Sequence, residues 1–246
     1  MPYLVTPVVP AGRMRDREQP VLWGPGGLVL RPWEADDAPV VLEAYQDPAI
    51  QQWNLRTFVS LAEAGAWIAQ WEGQWLAERD GCWAVTDGAG VVLGRAALRG
   101  VRLMDGVAEC TYWVLPAARG RGVATGATVA MARWALHDLG LHRLELQHST
   151  ANPASCRVAA RAGFGLEGTL RGAMQHPDGW HDMHLHARLQ GDPEAAPGPR
   201  RSSPRPSRHP GGPRGRPGSP GASSARPAAS PARAWPWRWR PRGPRS

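Results

Sequence analysis

The residues from Glu109 to Thr125, Glu-Cys-Thr-Tyr-Trp-Val-Leu-Pro-Ala-Ala-Arg-Gly-Arg-Gly-Val-Ala-Thr, have the types and spacing that most directly suggest chemistry. A β-prone run over Val107–Leu115 enters an Arg/Gly turn, and the turn leads straight into a helical pattern that continues to about Leu139. Small residues at Gly120, Gly122 and Ala124 let backbone N–H groups approach a ligand without side-chain obstruction. The first N–H groups of a helix lack intrahelical partners, and the helix dipole favours an anion there. Arg119 and Arg121 add positive charge. Together these features describe a cradle for a pyrophosphate, against the plainer alternative of a Gly-rich connection. A dinucleotide G-x-G-x-x-G pattern fails at Thr125, and a P-loop would need a lysine.

That lysine does not exist anywhere in the chain: all 29 Lys+Arg are arginine. Schiff-base lysines, pyridoxal-phosphate anchors and the strand lysine of kinases are therefore excluded. The histidines His176, His181, His184 and His186 invite a metal reading, and His184 and His186 share a strand face. No acidic or cysteine ligand stands at matching spacing, so no metal is expected. Cys82, Cys110 and Cys156 are few, odd in number and far apart, and read as small buried hydrophobes in a reduced setting.

The elements that must position these residues follow from periodicity. Leu28–Arg31 reads as a strand, and Asp36 as the cap of a helix that Asp47-Pro48 closes. A helix over Leu61–Arg79 carries Trp67, Trp71 and Trp75 as one stripe. Strands follow at Cys82–Thr86, Val91–Arg99 and Val107–Leu115, then Arg143–Gln147, a helix Pro153–Ala162, and strands Phe164–Arg171 and His181–Leu189. The mixture is α+β (mixed α/β), with a mostly antiparallel sheet of 6–7 strands and about four helices. Residues 1–27, rich in Pro and Gly, read as a loosely packed N-terminal arm, and 28–190 as one domain.

The formal net charge of +8 belongs to residues 191–246, where 12 Arg face 2 acids and 14 of the 25 Pro are found. That segment reads as a disordered, basic tail ending in Trp235-Pro236-Trp237-Arg238-Trp239-Arg240. Any contact with nucleic acid would run through it, and its removal is expected to leave the chemistry of the domain intact. No apolar run suggests a membrane span and the first residues do not read as a signal peptide, so a cytoplasmic protein is expected.

Arg119-x-x-Gly122-x-Ala124 after a strand resembles the acetyl-CoA motif of GCN5-related N-acetyltransferases (GNAT). Asn152-Pro-Ala-Ser155, Arg161-Ala-Gly163-Phe164 and Leu166-Glu167-Gly168 extend the resemblance to the RimJ/RimL-like ribosomal-protein branch. The resemblance covers about Leu28 to Leu189. It implies a GNAT fold in which two adjacent parallel strands, Val107–Leu115 and Arg143–Gln147, splay apart around the pantetheine arm. Backbone groups of Tyr112, Trp113 and Val114 would face pantetheine and thioester. Gly120, Arg121, Gly122, Val123, Ala124 and Thr125, with Arg119, would hold the pyrophosphate, and Asn152 and Ser155 would lie near the sulfur.

The implied reaction is direct attack of a primary amine on acetyl-CoA, without a metal. Many relatives supply a tyrosine seven residues after the asparagine, but Ala159 stands there, so Ser155 is the expected proton donor to the thiolate. Glu109 is the expected base, because alternation puts it on one face with Thr111 and Trp113, and His148 is the reserve. A strand N–H near Val114 is the expected donor to the carbonyl oxygen. The acceptor could be a protein N-terminal amine or a small amine of the aminoglycoside or polyamine type. A CoA-binding protein acting through its basic tail is the alternative of another class. Monomer and homodimer both remain open.

Overall fold

The computed structural model describes residues 4–193. The tail expected over 191–246 lies, but for its first three residues, outside them. Eight strands form one sheet: β1 (Leu22–Gly24), β2 (Leu28–Pro32), β3 (Gly81–Thr86), β4 (Val92–Arg102), β5 (Val107–Val114), β6 (Arg143–Ser149), β7 (Gly165–His176) and β8 (Gly179–Leu189). Their order is β1-β2-β3-β4-β5-β6-β8-β7. Every neighbouring pair is antiparallel except β5 and β6. The helices are α1 (Ala38–Ala44), α2 (Pro48–Asn54), α3 (Leu61–Leu76), α4 (Val123–Arg133) and α5 (Pro153–Arg161). The fold is the expected mixed α/β one, with one strand and one helix beyond the number expected.

The extra helix is α2. Asp47-Pro48 starts it rather than ending α1: Asp47 accepts a 2.9 Å hydrogen bond from Ile50 N–H, and Pro48 occupies the first helical position. An Asp-Pro pair serves either purpose, and here the orphan N–H groups of the next helix win. Asp37, not Asp36, stands at the N-cap position of α1 without a side-chain bond to the helix; its carboxylate instead takes both nitrogens of the Arg31 fork at 2.7 and 2.9 Å.

Helices cover both faces of the sheet. On one, α1 and α3 pack Val41, Ala44, Trp67, Ile68 and Trp71 against Cys82, Ala97 and Trp113. On the other, α4 and α5 cover Leu30, Val85, Leu98, Cys110, Leu144 and Leu146. The tryptophan stripe serves both cores, since Trp75 leaves its two companions to meet Trp83 and Trp134 at ring distances of 6.3 and 5.9 Å. The helical pattern after Gly122 does run to Leu139, but Trp134–Leu139 is wound as a wider π-type turn.

The N-terminal segment departs from the loose arm expected of its composition. Val9 and Met14 are 1% and 0% exposed, so both are core residues. The carboxylate of Glu78 accepts from Gly12 N–H at 2.9 Å and from Met14 N–H at 2.9 Å, and Val9 N–H donates to Leu103. β1 then adds an edge strand to β2. Proline and glycine report local stiffness, whereas the partners that fasten this segment lie far along the chain.

Candidate active site

β5 and β6 pair at Val107↔Arg143, Ala108↔Leu144 and Glu109↔Glu145, and there the pairing stops. β5 remains paired to β4 as far as Gly94↔Val114. The two parallel strands therefore diverge, and a cleft of about 730 Å³ opens between them, reaching from Glu109 to the start of α4 and the first turns of α5. Leu115 N–H donates to Leu93 on the β4 side. Because antiparallel residues alternate in direction, Trp113 and Thr111 also spend their backbone groups on β4, while Cys110, Tyr112 and Val114 turn theirs into the cleft. Of the three backbones expected there, Tyr112 and Val114 face the opening, and that of Trp113 does not.

Gly120 (φ +74°) and Gly122 (φ +81°) hold the loop after β5 in the left-handed region. A side chain on either would meet no protein atom within 4 Å, so the demand for glycine is conformational and the space beside it is open. Gly122 is the N-cap of α4 and offers no side chain to its N–H groups. Gly120, Gly122, Val123, Ala124 and Thr125 all line the cleft. Arg121 is exposed and outside that lining. Arg119 lines it, but its charge is already answered: it donates to Asp47 at 2.6 Å and to the Val114 carbonyl at 3.2 Å. That ion pair is the first cause holding the Asp47 carboxyl below its ordinary pKa. Arg119 thus braces the loop against α2. Arg157, which sequence reasoning passed over, and Arg161 of the Arg161-Ala-Gly163-Phe164 motif supply further cations from α5 along the cleft wall.

At the other wall, Asn152 caps α5 by accepting from Ser155 N–H at 3.2 Å. Ser155 Oγ accepts from the Tyr112 hydroxyl at 3.0 Å. Burial pushes the Tyr112 pKa up to about 12, against the opposing pull of its bond to Ser155. Ala159 is fully buried, and the tyrosine hydroxyl that does reach Ser155 comes from the strand, on Tyr112. The side chain of Tyr112 carries a signal that spacing could not, because α5 is far away in sequence.

Glu109 projects from the opposite face of β5, with Thr111 and Trp113. It is half-buried at the floor of the cleft, with Arg99 as its β4 neighbour and Glu145 across on β6. Burial raises its pKa; Arg99 opposes and Glu145 adds to the shift. Beside it a second cavity of about 240 Å³ is lined by Arg56, Arg95, Arg99, Trp67, Trp71 and Tyr45, among others. Arg95 is 4% exposed, lies over Trp67 and Trp71 at 5.7 and 5.3 Å, and donates to the Cys82 sulfur at 3.1 Å. Among the described residues it forms no ion pair, unlike Arg99, which is paired with Asp80.

A mostly antiparallel sheet that opens between its two parallel strands, beside a helix entered through glycines and left uncapped, defines the GNAT class of fold. The chain belongs to that family: the family model described as acetyltransferase (GNAT) domain matches residues 27–165. A ribosomal-protein-serine acetyltransferase of Escherichia coli is 30% identical over 98 residues, which are 40% of this chain and 55% of that protein. The chain spans about half the length of the curated relatives it matches. Among solved structures, RimL, a ribosomal alpha-N-protein acetyltransferase in complex with coenzyme A, superposes with a TM-score of 0.64 at 18% identity, over 69% of this chain and 98% of that one. RimJ of Mycobacterium smegmatis, in complex with a CoA disulfide, gives 0.61 at 23%, over 69% and 86%. A spermidine N-acetyltransferase of Vibrio cholerae, in complex with CoA and spermine, gives 0.61 at 19%, over 68% and 97%. At such identities the likeness is one of fold. Among the described residues no helix is long and apolar enough to cross a membrane.

Proposed function

We propose that this chain is an acetyl-CoA-dependent N-acetyltransferase acting on a primary amine by direct attack. The observation that carries the reading is the loss of β5–β6 pairing after Glu109↔Glu145, which opens the cleft between the glycine-entered N-terminus of α4 and Ser155. Acetyl-CoA, when bound, supplies an acyl thioester open to an amine. The N–H groups at Gly120–Thr125 hold its pyrophosphate, and the N–H of Val114 points to where the carbonyl oxygen gains charge. Glu109 accepts the amine proton from the opposite face, and Ser155 donates to the departing sulfur.

For the acceptor, a protein N-terminal amine is the reading best supported, by the family branch and by the charge of the second cavity. Three guanidiniums, Arg56, the buried and unpaired Arg95, and Arg99, outnumber the one carboxylate of that cavity, Asp80, and the net positive lining disfavours a polycation, although folds of this kind include a spermidine acetyltransferase. The test is an acetyl-CoA turnover screen with free thiol as readout, over N-terminal peptides, polyamines and aminoglycosides. Turnover with peptides before polyamines is expected. CoA binding without turnover on any amine would overturn the enzymatic reading, and preferred turnover of a polyamine would overturn the acceptor reading alone.

A further inference from the structure

His148, Cys156, His184 and His186 come together from three elements, with one ligand atom from each lying within 4.8 Å of all the others. β6 carries His148, β8 carries His184 and His186, and α5 carries Cys156. The β6–β8 register sets His148 across from His184 and Leu146 across from His186. All three imidazoles therefore leave one face of the sheet, the face that packs Leu146 beneath α5. Spacing along the chain exposes only the His184-x-His186 pair, because its partners are supplied by a distant strand and helix.

Two features mark a place for a cation. Nε2 of His148 and Nε2 of His186 face each other at 3.1 Å, with ring planes 25° apart. Nδ1 of His148 is 2.8 Å from the Ser149 carbonyl and donates to it, which leaves the lone pair on Nε2. A backbone carbonyl on the far nitrogen is the usual support of a metal-binding histidine. In addition, Nδ1 of His184 is buried with no hydrogen-bond partner among the described residues. Orphaned buried nitrogens are costly and ask for an occupant nearby. A tetrahedral ion with bonds of about 2.0–2.1 Å to nitrogen and 2.3 Å to sulfur holds its ligand atoms roughly 3.3–3.7 Å apart. The ligand atoms of the set span up to 4.8 Å, so binding an ion requires the side chains to draw together.

We propose that His148, Cys156, His184 and His186 form a site for one divalent transition-metal ion of the zinc class, held between α5 and the β6–β8 pair. Three imidazoles and a thiolate suit zinc-like ions, whereas magnesium and calcium need oxygen ligands. The thiol proton of Cys156 passes to solvent as the metal–sulfur bond forms. Four protein ligands complete a tetrahedron, so the ion is structural. Cys156 follows Ser155 directly, and the ion would fasten the first turns of α5 beside the cleft. The site stands independently of the acetyl-transfer reading, because its occupancy is measured without acetyl-CoA.

The test uses the full chain, stripped with a chelator under a thiol-free reductant and titrated with Co²⁺ alone. Saturation at one ion per chain is expected, with the intense visible bands of tetrahedral cobalt and a thiolate-to-cobalt band in the near ultraviolet. Added Zn²⁺ should bleach both. Cys156→Ser should abolish the near-ultraviolet band and weaken uptake by at least about tenfold, as should His184→Ala for uptake. His181→Ala, outside the cluster, should keep both signals. Zinc should raise the melting temperature of the unsubstituted chain and of His181→Ala but not of the two ligand variants, whose metal-free circular dichroism should match the parent. Absence of a tetrahedral spectrum in the unsubstituted chain, or a thiolate band that survives Cys156→Ser, overturns the assignment.

Discussion

The Tyr112 hydroxyl, carried by β5, donates to Ser155 Oγ in α5 across 3.0 Å and so links two of the elements that line the cleft. Having accepted that bond, Ser155 keeps its own proton for a group inside the cleft. With its pKa pushed up to about 12 by burial, Tyr112 remains a donor throughout the working pH range. Ser155→Ala should lower kcat about 10²-fold at saturating amine. Tyr112→Phe should cost roughly tenfold, the worth of one hydrogen bond. Thiol release under saturating conditions checks both. An unchanged kcat in Ser155→Ala across the pH range would remove Ser155 from the proton-donor role.

Glu109 has a pKa raised by burial, opposed by Arg99 and reinforced by Glu145. Below that value the carboxyl is protonated and cannot act as base, so kcat/KM should rise as pH passes through it. Glu109→Gln should lose that limb. Its cost should be greatest between the carboxyl pKa and the pKa of the acceptor amine, and shrink once the amine is neutral in solution. A loss independent of pH in paired kcat/KM profiles would point to acceptor binding alone.

Gly120 and Gly122 test the anion cradle. Alanine at either must hold a positive φ, at a cost of about 1–2 kcal/mol, while its methyl group meets open space rather than protein. Calorimetric titration with CoA should show affinity falling by about tenfold or more, with kcat at saturating acetyl-CoA much less affected. Unaltered CoA affinity in both variants would count against the loop as the pyrophosphate site.

The N-terminal segment depends on Glu78. Burial pushes that carboxyl's pKa up, but the N–H groups of Gly12, Met14 and Arg15 outweigh it and hold the pKa below its ordinary value. A depressed carboxyl stabilises the fold above its unfolded pKa of about 4.3, and the contribution is lost as pH falls through the folded value. Glu78→Gln should therefore reduce stability by about 2 kcal/mol near neutrality. The gap between urea midpoints of parent and variant should close in acid.

Arg56 is an exposed cation of the second cavity and, among the described residues, forms no ion pair, unlike Arg99, which is paired with Asp80. If that cavity receives the residue next to the acceptor amine, a peptide with an acidic second residue should have a lower KM than the same peptide with lysine there. Arg56→Gln should shrink the difference by up to about fivefold, the scale of a solvent-screened ion pair. A preference that survives the substitution unchanged would assign the selection elsewhere.

Near-neighbour physics made much of this protein legible in its sequence. Strand alternation around Glu109, the glycines at 120 and 122 and the helix start after them depend on residues a few positions apart, and the structure keeps them. The absence of lysine left backbone amides and arginine for any anion site. Other features are decided only where distant segments meet. Arg119 reads as a free cation until Asp47, 72 residues away, takes its charge. Tyr112 finds Ser155 across 43 residues, and Met14 is fastened to Glu78 across 64. The histidines and cysteine beneath α5 are scattered in sequence and become one cluster only when β6 pairs with β8. Local preference sets which elements form, but burial and register, which belong to the whole sheet, set which side chains face one another.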